Sequence, residues 1–181
     1  MTATLSRTIR VHSPIAVSEP AAPVELAPRG NVQEGARLLL IDNGKPRARD
    51  LLRMLADQMQ ILLPIGSVEV VSKPSAASPL ADDEAAEIAA RADLAITGLG
   101  DCGACSACSL HDALLLERSG VPSTVLITDV FVAHVNRFAV NLGAPGYHHL
   151  VVPHPAATKP DDELRRLARS VAPAARDQLA L

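Results

Sequence analysis

From about residue 31 onward, short apolar runs alternate with stretches in which apolar residues recur every three or four positions. A run that is apolar throughout is typical of a strand buried on both faces, whereas the spacing of Leu51, Leu55 and Met59 is typical of a helix with one buried side. Strands are predicted at 37–44, where the run ends in a turn, and at 68–71, 94–97, 124–128 and 150–152. Helices are predicted at 49–62, 82–91, 109–119, 130–142 and 161–179.

The alternation of strands and helices predicts the fold class. Strands separated by helices of about ten residues indicate βαβ units, and therefore a parallel sheet with helices on both faces. We expect residues 31–181 to form a single small doubly wound α/β domain of the Rossmann-like type. In such sheets ligands bind beyond the carboxyl ends of the strands. Cys102, Asp129 and His154 each follow a predicted strand, so three turns are expected to meet in one pocket.

Residues 1–30 show no lasting periodicity and are predicted to form an irregular, flexible arm in front of the domain. The prolines of this stretch are Pro14, Pro20, Pro23 and Pro28. A second interpretation stays open, because alternating apolar residues in the arm would let it pack along a second subunit. These residues are Ile9, Val11, Ile15 and Val17.

Composition changes this picture mainly by exclusion. The chain has 181 residues, 48% apolar and 20% charged, which suits one ordinary domain with a sizeable core. A net charge of -3, with one Tyr, two Phe and no Trp, provides neither a basic surface nor stacking platforms, so nucleic acid is not an expected partner. No apolar stretch approaches the roughly 18 residues of a membrane span, and the amino terminus lacks the apolar core of a signal peptide. We therefore expect a cytoplasmic protein without a membrane partner.

All three cysteines lie within seven positions, at Cys102, Cys105 and Cys108. Their odd number and tight clustering argue against a structural disulfide framework, so reduced thiols are expected. A cysteine where a strand passes into a helix points its thiol at unsatisfied backbone N–H groups, which favour the thiolate. Cys102 is earliest in the turn and is the predicted nucleophile. Cys105 would lie on the same helix face and is the predicted resolving thiol, whereas Cys108 is either a buried structural thiol or part of the site.

Two other interpretations of the cysteine cluster remain open. Three thiolates in reach of one another would suit a metal, although a structural zinc needs a fourth ligand and there is no fourth cysteine. The histidines available to complete such a site are His111, His134, His148, His149 and His154. A purely structural cluster of small thiols is less favoured, because Gly98, Gly100 and Gly103 are typical of a backbone that a ligand approaches closely.

Several polar residues near the cluster and at the strand ends are further candidates. Asp101 either orients the turn and accepts a proton, or caps the following helix. His111 is expected to stabilise a thiolate or to donate a proton, although an exposed helical histidine is an equally good interpretation. His154 is favoured over the neighbouring histidines because Pro153 and Pro155 hold it rigidly. The predicted substrate-binding residues are Cys108, Asp101, Gly103, Thr128, Asp129 and His154.

The sequence GLGDCGACSACSLHD at 98–112 resembles the proteins named for a UGSC motif, in which selenocysteine or cysteine is followed by Gly, by Ser or Ala, and by Cys. Cys102 takes the selenocysteine position. More distantly, residues 93–160 resemble part of the selenoprotein B subunit of the glycine, sarcosine, betaine and D-proline reductases, including GVP at 120–122 and PHP at 153–155. The reductase resemblance implies that a selenolate or thiolate attacks a small substrate, that a carbon–heteroatom bond is cleaved, and that a neighbouring thiol releases the adduct.

These observations predict a cysteine-dependent enzyme acting on a small molecule. Cys102 would form a covalent adduct or mixed disulfide and Cys105 would resolve it, with help from His111 or His154, in a reductive, lyase or transfer reaction. No cofactor is expected, and a thiol reductant is an expected partner. The alternatives are a metal-binding or redox-sensor module that uses all three thiolates, and a subunit of a larger enzyme. A homo-oligomer or a complex with a partner subunit is expected.

Overall fold

Five parallel strands form the centre of the structure, a computed structural model that describes residues 21–181. The strands are β1 (Ala36–Asp42), β2 (Ile65–Ser72), β3 (Leu94–Gly100), β4 (Ser123–Thr128) and β5 (His149–Val152). Their order in the sheet is β2-β1-β3-β4-β5, and every neighbouring pair is parallel. The predicted parallel sheet is therefore confirmed.

Helices cover both faces of this sheet, as the doubly wound prediction requires. They are α1 (Ala48–Leu62), α2 (Asp82–Ala89), α3 (Gly103–Arg118), α4 (Val132–Asn141) and α5 (Asp161–Ala180), with a 3₁₀ turn at Asp129–Phe131 before α4. α1 and α5 pack together on one face, where Leu38 and Leu40 of β1 join their core. Leu39 and Ile41, which alternate with these residues along β1, point to the opposite face and pack with α2 and α3.

The central strands are apolar throughout because both of their faces lie under helices. All seven residues of β3 and all six of β4 are buried, which explains why their sequences show no alternation with polar residues. α1 shows the complementary pattern, because Leu51, Leu55 and Met59 are fully buried on one side. Both kinds of pattern were sufficient to place these elements from the sequence.

Two elements begin three or more residues earlier than predicted. α3 begins at Gly103 rather than Ser109, because Cys102 caps the helix in place of the usual Ser, Thr, Asp or Asn. β2 begins at Ile65 rather than Val68, because pairing with β1 extends the strand past Gly66. A Cβ atom at Gly66 would lie 2.8 Å from the Cα of Gly35, so this close approach needs glycine.

The glycines before the cysteine cluster have an internal packing role, which corrects the expectation that they admit a ligand. A Cβ atom at Gly100 would lie 2.7 Å from Ile127 Cγ2 and 2.8 Å from Ser106 Oγ. One at Gly98 would lie 3.3 Å from both Cβ and the carbonyl oxygen of Leu126. The missing side chains let β4 and α3 pack closely against β3.

The described part of the predicted arm, residues 21–30, has no regular secondary structure, as expected, and it makes defined contacts with the domain. Ala27 is buried, and its N–H donates to Glu117 Oε2 on α3 at 2.8 Å. Arg29 donates to both carboxylate oxygens of Glu117, and the Val24 N–H donates to the Gly143 carbonyl oxygen at 2.8 Å. The residues proposed to contact a second subunit, Ile9, Val11, Ile15 and Val17, lie outside the described residues.

None of the helices between residues 21 and 181 combines the length and apolar character that crossing a membrane requires. The longest, α5, buries one side against α1 and the sheet. Its first turn carries Asp161, Asp162 and Glu163, which suit the positive end of the helix dipole. α5 is therefore an amphipathic helix of the outer layer.

Candidate active site

The cysteine cluster lies where the strand order of the sheet reverses. The chain moves from β1 to β2 on one side and then returns to place β3 on the other side of β1. The carboxyl ends of β1 and β3 therefore flank a topological switch point, the usual ligand-binding position in open α/β sheets. Asn43 and Lys45 follow β1 at this position, and Cys102 follows β3.

Cys102 is the N-cap residue of α3. Its backbone is extended, with φ −157° and ψ 167°, and its Sγ accepts a hydrogen bond from the Cys105 N–H at 3.2 Å. The Cys102 carbonyl oxygen accepts from the Ser106 N–H at 3.0 Å and from Ser106 Oγ at 2.6 Å. The thiol is half-buried. It thus combines access from solvent with a direct contact to the amino end of the helix.

The surroundings of Cys102 and Cys105 shift the pKa values of the two thiols in opposite directions. Burial raises the pKa of Cys102, but hydrogen bonds from the Cys105 side chain and from the Cys105 and Ala104 N–H groups, together with the positive charge of Lys45, outweigh it and lower the pKa. Burial raises the pKa of Cys105 to about 11, and its hydrogen bond to Cys102 adds to the increase. Cys102 is therefore the thiol that ionises first, and Cys105 keeps its proton.

Cys105 and Cys108 follow Cys102 along α3. Cys105 is fully buried, and its Sγ donates to the Cys102 carbonyl oxygen at 3.2 Å, so it lies directly behind the half-buried Cys102. Cys108 is half-buried. Burial raises the pKa of Cys108, although the charge of Lys73 opposes the increase. The three thiols are thus one half-buried thiol of lowered pKa and two thiols of raised pKa farther along the helix.

A buried ion pair supports the helix behind the cysteines. Lys73 directly follows β2 and pairs with Asp112 of α3, and the two side chains are only 3% and 0% exposed. Asp112 Oδ1 also accepts the Leu80 N–H at 2.7 Å. Burial raises the pKa of Asp112, although the hydrogen bond and charge of Lys73 oppose the increase. The pair fixes the segment between β2 and α2 against α3.

A second group of predicted residues meets around His154. His154 Nδ1 lies 3.0 Å from Asp101 Oδ1 and 3.1 Å from Thr128 Oγ1, and the His154 N–H donates to Asp129 Oδ1 at 3.1 Å. Asp101 is the residue before Cys102. The structure therefore brings together four residues at the carboxyl ends of β3, β4 and β5, as their positions in the sequence indicated.

His111 does not join Cys102. Because α3 is helical from Gly103 onward, His111 is nine residues beyond the cap, about 13 Å along the axis and on the opposite side. Burial lowers the pKa of His111, and its Nδ1 has no hydrogen-bond partner within residues 21–181. Its predicted roles at the thiolate are not supported by this position. Gly103 is the first residue of α3, and a Cβ there would lie 3.9 Å from His134 Nε2.

Sequence reasoning assigned no role at the thiol to Lys45, which contributes to the lowered pKa of Cys102. It also considered His134 only as a metal ligand. His134 lies on α4, where its ring stacks on Phe138 with a centroid distance of 6.4 Å. A signal for Lys45 was present, because it directly follows β1, but using it requires knowing that β1 and β3 are neighbours.

Two clefts of about 440 and 420 Å³ lie away from the cysteines. The first is lined by residues 28–36 and by the beginnings of β3 and β4, including Asp93, Leu94 and Pro122. Both lie along the segment that precedes β1 and contain none of the three thiols. We place the candidate site at the carboxyl edge because the ionisable and nucleophilic groups converge there.

A metal site through the three thiolates was the alternative interpretation of the cysteine cluster. Between residues 21 and 181, no three or more His, Cys, Asp or Glu side chains are grouped so that they could hold a metal ion. In particular, Cys102, Cys105 and Cys108 do not form such a group with one another or with a histidine. The expected alternative of a site with three thiolates therefore lacks its geometry here.

The similarity to a known protein family covers nearly the whole chain, not only the cysteine motif. The model of the UGSC family matches residues 10–181, whereas the resemblance to selenoprotein B rests on the sequence motif alone. No curated protein matches the chain.

Several solved structures are similar in fold. A diflavin flavoprotein A3 from Nostoc sp. is 15% identical with a TM-score of 0.42, covering 81% of this chain and 95% of that one. A flavodoxin-like domain from Synechococcus sp. is 12% identical with a TM-score of 0.36, covering 77% and 97%. A short-chain flavodoxin associated with a non-canonical PDU bacterial microcompartment is 14% identical with a TM-score of 0.37, covering 79% and 99%.

Proposed function

Because this chain belongs to the UGSC family and carries Cys102 at the first position of the motif, we propose that it is a thiol-dependent enzyme acting on a small molecule. The Cys102 thiolate attacks the substrate, and Cys105 resolves the adduct. One observation carries the proposal: the half-buried Cys102 sulfur accepts the Cys105 N–H at the start of α3, with the protonated Cys105 thiol directly behind it.

The reaction that this pair supports best is reductive cleavage of a carbon–heteroatom bond. Attack of the Cys102 thiolate on carbon forms a C–S bond, and the heteroatom leaves with its electron pair and is protonated. Cys105 sulfur then attacks Cys102 sulfur, so that the S–S bond forms, the C–S bond breaks, and the carbon takes the electron pair and the Cys105 proton. The substrate is reduced by two electrons, and two thiols become a disulfide. A small thiol reductant returns the two electrons.

The local charges suit both steps. The amino end of α3 and Lys45 stabilise negative charge at the Cys102 sulfur, and the same field favours an anionic leaving group. The raised pKa of Cys105 keeps the proton that the reduced carbon requires. Such a dithiol cycle needs a reducing compartment, so a cytoplasmic location is part of the proposal.

Trapping of the adduct tests the proposal. Variants are mixed with a panel of small molecules that carry a leaving group next to a carbonyl, and intact mass is followed with time. Cys105→Ser is expected to accumulate one adduct, because the resolving sulfur is absent. The wild-type protein should instead proceed to a species that has lost two hydrogen atoms, and Cys102→Ser should form neither product.

Cys108→Ser is the matched control, since Cys108 lies on the same helix but has no place in the cycle, and it should behave as the wild type. An adduct on Cys102→Ser equal to that of the wild type would contradict the assignment of the nucleophile. Clearance of the adduct by Cys105→Ser at the wild-type rate would contradict the assignment of the resolving thiol.

A further inference from the structure

The hydrogen bonds around His154 determine which ring nitrogen carries its proton. The Asp101 carboxylate accepts hydrogen bonds only, so the proton in its 3.0 Å contact with Nδ1 belongs to the imidazole. The Thr128 hydroxyl donates to the Gly100 carbonyl oxygen at 3.1 Å, so it also accepts from Nδ1. Both partners therefore select the Nδ1–H tautomer, which leaves Nε2 of the neutral ring as an acceptor.

The same contacts fix the orientation of the ring. Asp101 is itself held by the N–H groups of Ala156 and Ala157, each of which donates to one carboxylate oxygen at 3.1 Å. The backbone of His154 is held by Asp129, and Phe131 packs against the ring edge-on at a centroid distance of 5.7 Å. The charged groups that face the ring are thus Asp101 from the end of β3 and Asp129 from the turn after β4. The His154 side chain remains 35% exposed, so it is accessible to a ligand.

We propose that His154 Nε2 is a catalytic base that activates the incoming thiol reductant, and that Asp101 is its positioning residue. This inference rests on the proposed function, because it concerns the step that regenerates the dithiol. The Cys102 sulfur accepts the Cys105 N–H, whereas Nδ1 of His154 is bound to Asp101 and Thr128. We therefore assign the free Nε2 to a molecule entering the site rather than to the Cys102 thiol itself.

The step balances with a small thiol as the second reactant. Nε2 accepts the proton of the incoming thiol, whose sulfur forms an S–S bond with Cys102 while the Cys102–Cys105 bond breaks. Cys105 leaves as a thiolate and receives the proton from His154. A second thiol then attacks the mixed disulfide, releases Cys102 as the thiolate, and becomes half of a small-molecule disulfide. Asp101, which anchors the ring, is the residue before Cys102, so the base lies at the same carboxyl edge of the sheet as the sulfur under attack.

Reduction kinetics of the oxidised protein test this role. The Cys102–Cys105 disulfide is formed first, and its reduction by 2-mercaptoethanol is followed from pH 6 to pH 10. At pH 7, His154→Gln is expected to slow reduction about 100-fold, a typical contribution of a general base. Asp101→Asn should slow the reduction as well. Whichever way the new amide group is turned, its nitrogen would face a backbone N–H donor, so the side chain could not keep its present position against the ring. For both variants, the rate of reduction should approach the wild-type rate at high pH, where the reagent is already a thiolate.

Two controls separate a base from a structural residue. A trialkylphosphine reduces disulfides without giving up a proton, so His154→Gln and the wild type should react with it at equal rates. His134→Gln, which changes the histidine near Gly103 on α4, should keep the wild-type rate with the thiol. An equal rate of thiol reduction in His154→Gln and the wild type would overturn the proposal, as would an equal loss with the phosphine.

The tautomer of His154 can be determined without measuring any reaction. In spectra of protein labelled with ¹⁵N-histidine, neutral His154 should show a protonated Nδ1 and a bare Nε2, and Asp101→Asn should reduce this preference. A dominant Nε2–H tautomer in the wild type would overturn the inference while leaving the proposed function intact. Failure of the oxidised protein to form a Cys102–Cys105 disulfide would instead contradict the proposed function.

Discussion

Replacing Glu117 by alanine is expected to lower the free energy of unfolding by about 3–5 kcal/mol, the cost of breaking a buried ion pair from one side. The Glu117 side chain is fully buried and accepts two hydrogen bonds from Arg29, at 2.7 and 2.6 Å. It also accepts the N–H groups of Ala27 and Ser123, each at 2.8 Å, and the Tyr147 hydroxyl at 3.2 Å. Its removal leaves the N–H groups of Ala27 and Ser123 without this acceptor, and Arg29 without its anionic partner.

Urea unfolding at neutral pH measures this loss, with Glu87→Ala as the matched control. Glu87 is an exposed glutamate on α2, so its replacement should change stability by less than about 0.5 kcal/mol. The comparison separates burial of the carboxylate from loss of a helical glutamate as such. If Glu117→Ala were no more destabilising than Glu87→Ala, the buried network would not be what holds residues 27–29 to α3.

Lys73→Met is expected to destabilise the protein by about 3 kcal/mol at neutral pH and much less near pH 4. Burial already raises the pKa of Asp112, and removal of Lys73 takes away the cation that opposes this shift. The folded state then binds a proton at Asp112 more tightly than the unfolded state does. Stability of the variant therefore falls as the pH rises from the ordinary carboxyl range through the folded pKa.

Unfolding curves at several pH values between 4 and 8 measure this dependence. The matched control is the double variant Lys73→Met/Asp112→Leu, which removes both charges and should recover most of the loss at neutral pH. A loss for Lys73→Met that is the same at both ends of this range would contradict the account. It would show that Lys73 acts through packing rather than through the charge of Asp112.

The sequence predicted most of the fold because local patterns determine it. β3 and β4 are apolar throughout, and this alone indicates strands under two layers of helix. The start of α3 was missed because its N-cap is a cysteine, which local capping rules do not include. The packing of residues 21–30 was missed because it depends on Glu117, a buried charge that looks like an ordinary helical glutamate in sequence.

The candidate site was predictable in part for the same reason. Asp101, Thr128 and His154 lie at the carboxyl ends of three strands, and parallel strands place these ends at one edge of the sheet. The role of Lys45 depends on β1 lying beside β3, which periodicity does not reveal. His111 was misplaced because the cysteines were expected in a turn, whereas α3 carries His111 two and a half turns away from its cap.

The central claim is that Cys102 is the ionised thiol of the three, and competitive alkylation tests it most directly. The reduced wild-type protein is treated with limiting iodoacetamide from pH 6 to pH 10, and mass spectrometry assigns label to each cysteine. Cys102 should react fastest at neutral pH, with its midpoint below the ordinary range of a thiol. Cys105, whose pKa burial raises to about 11, should remain almost unlabelled over this whole range. Lys45→Gln should raise the Cys102 midpoint. Equal rates for the three thiols, or faster labelling of Cys105 or Cys108 at neutral pH, would contradict the account.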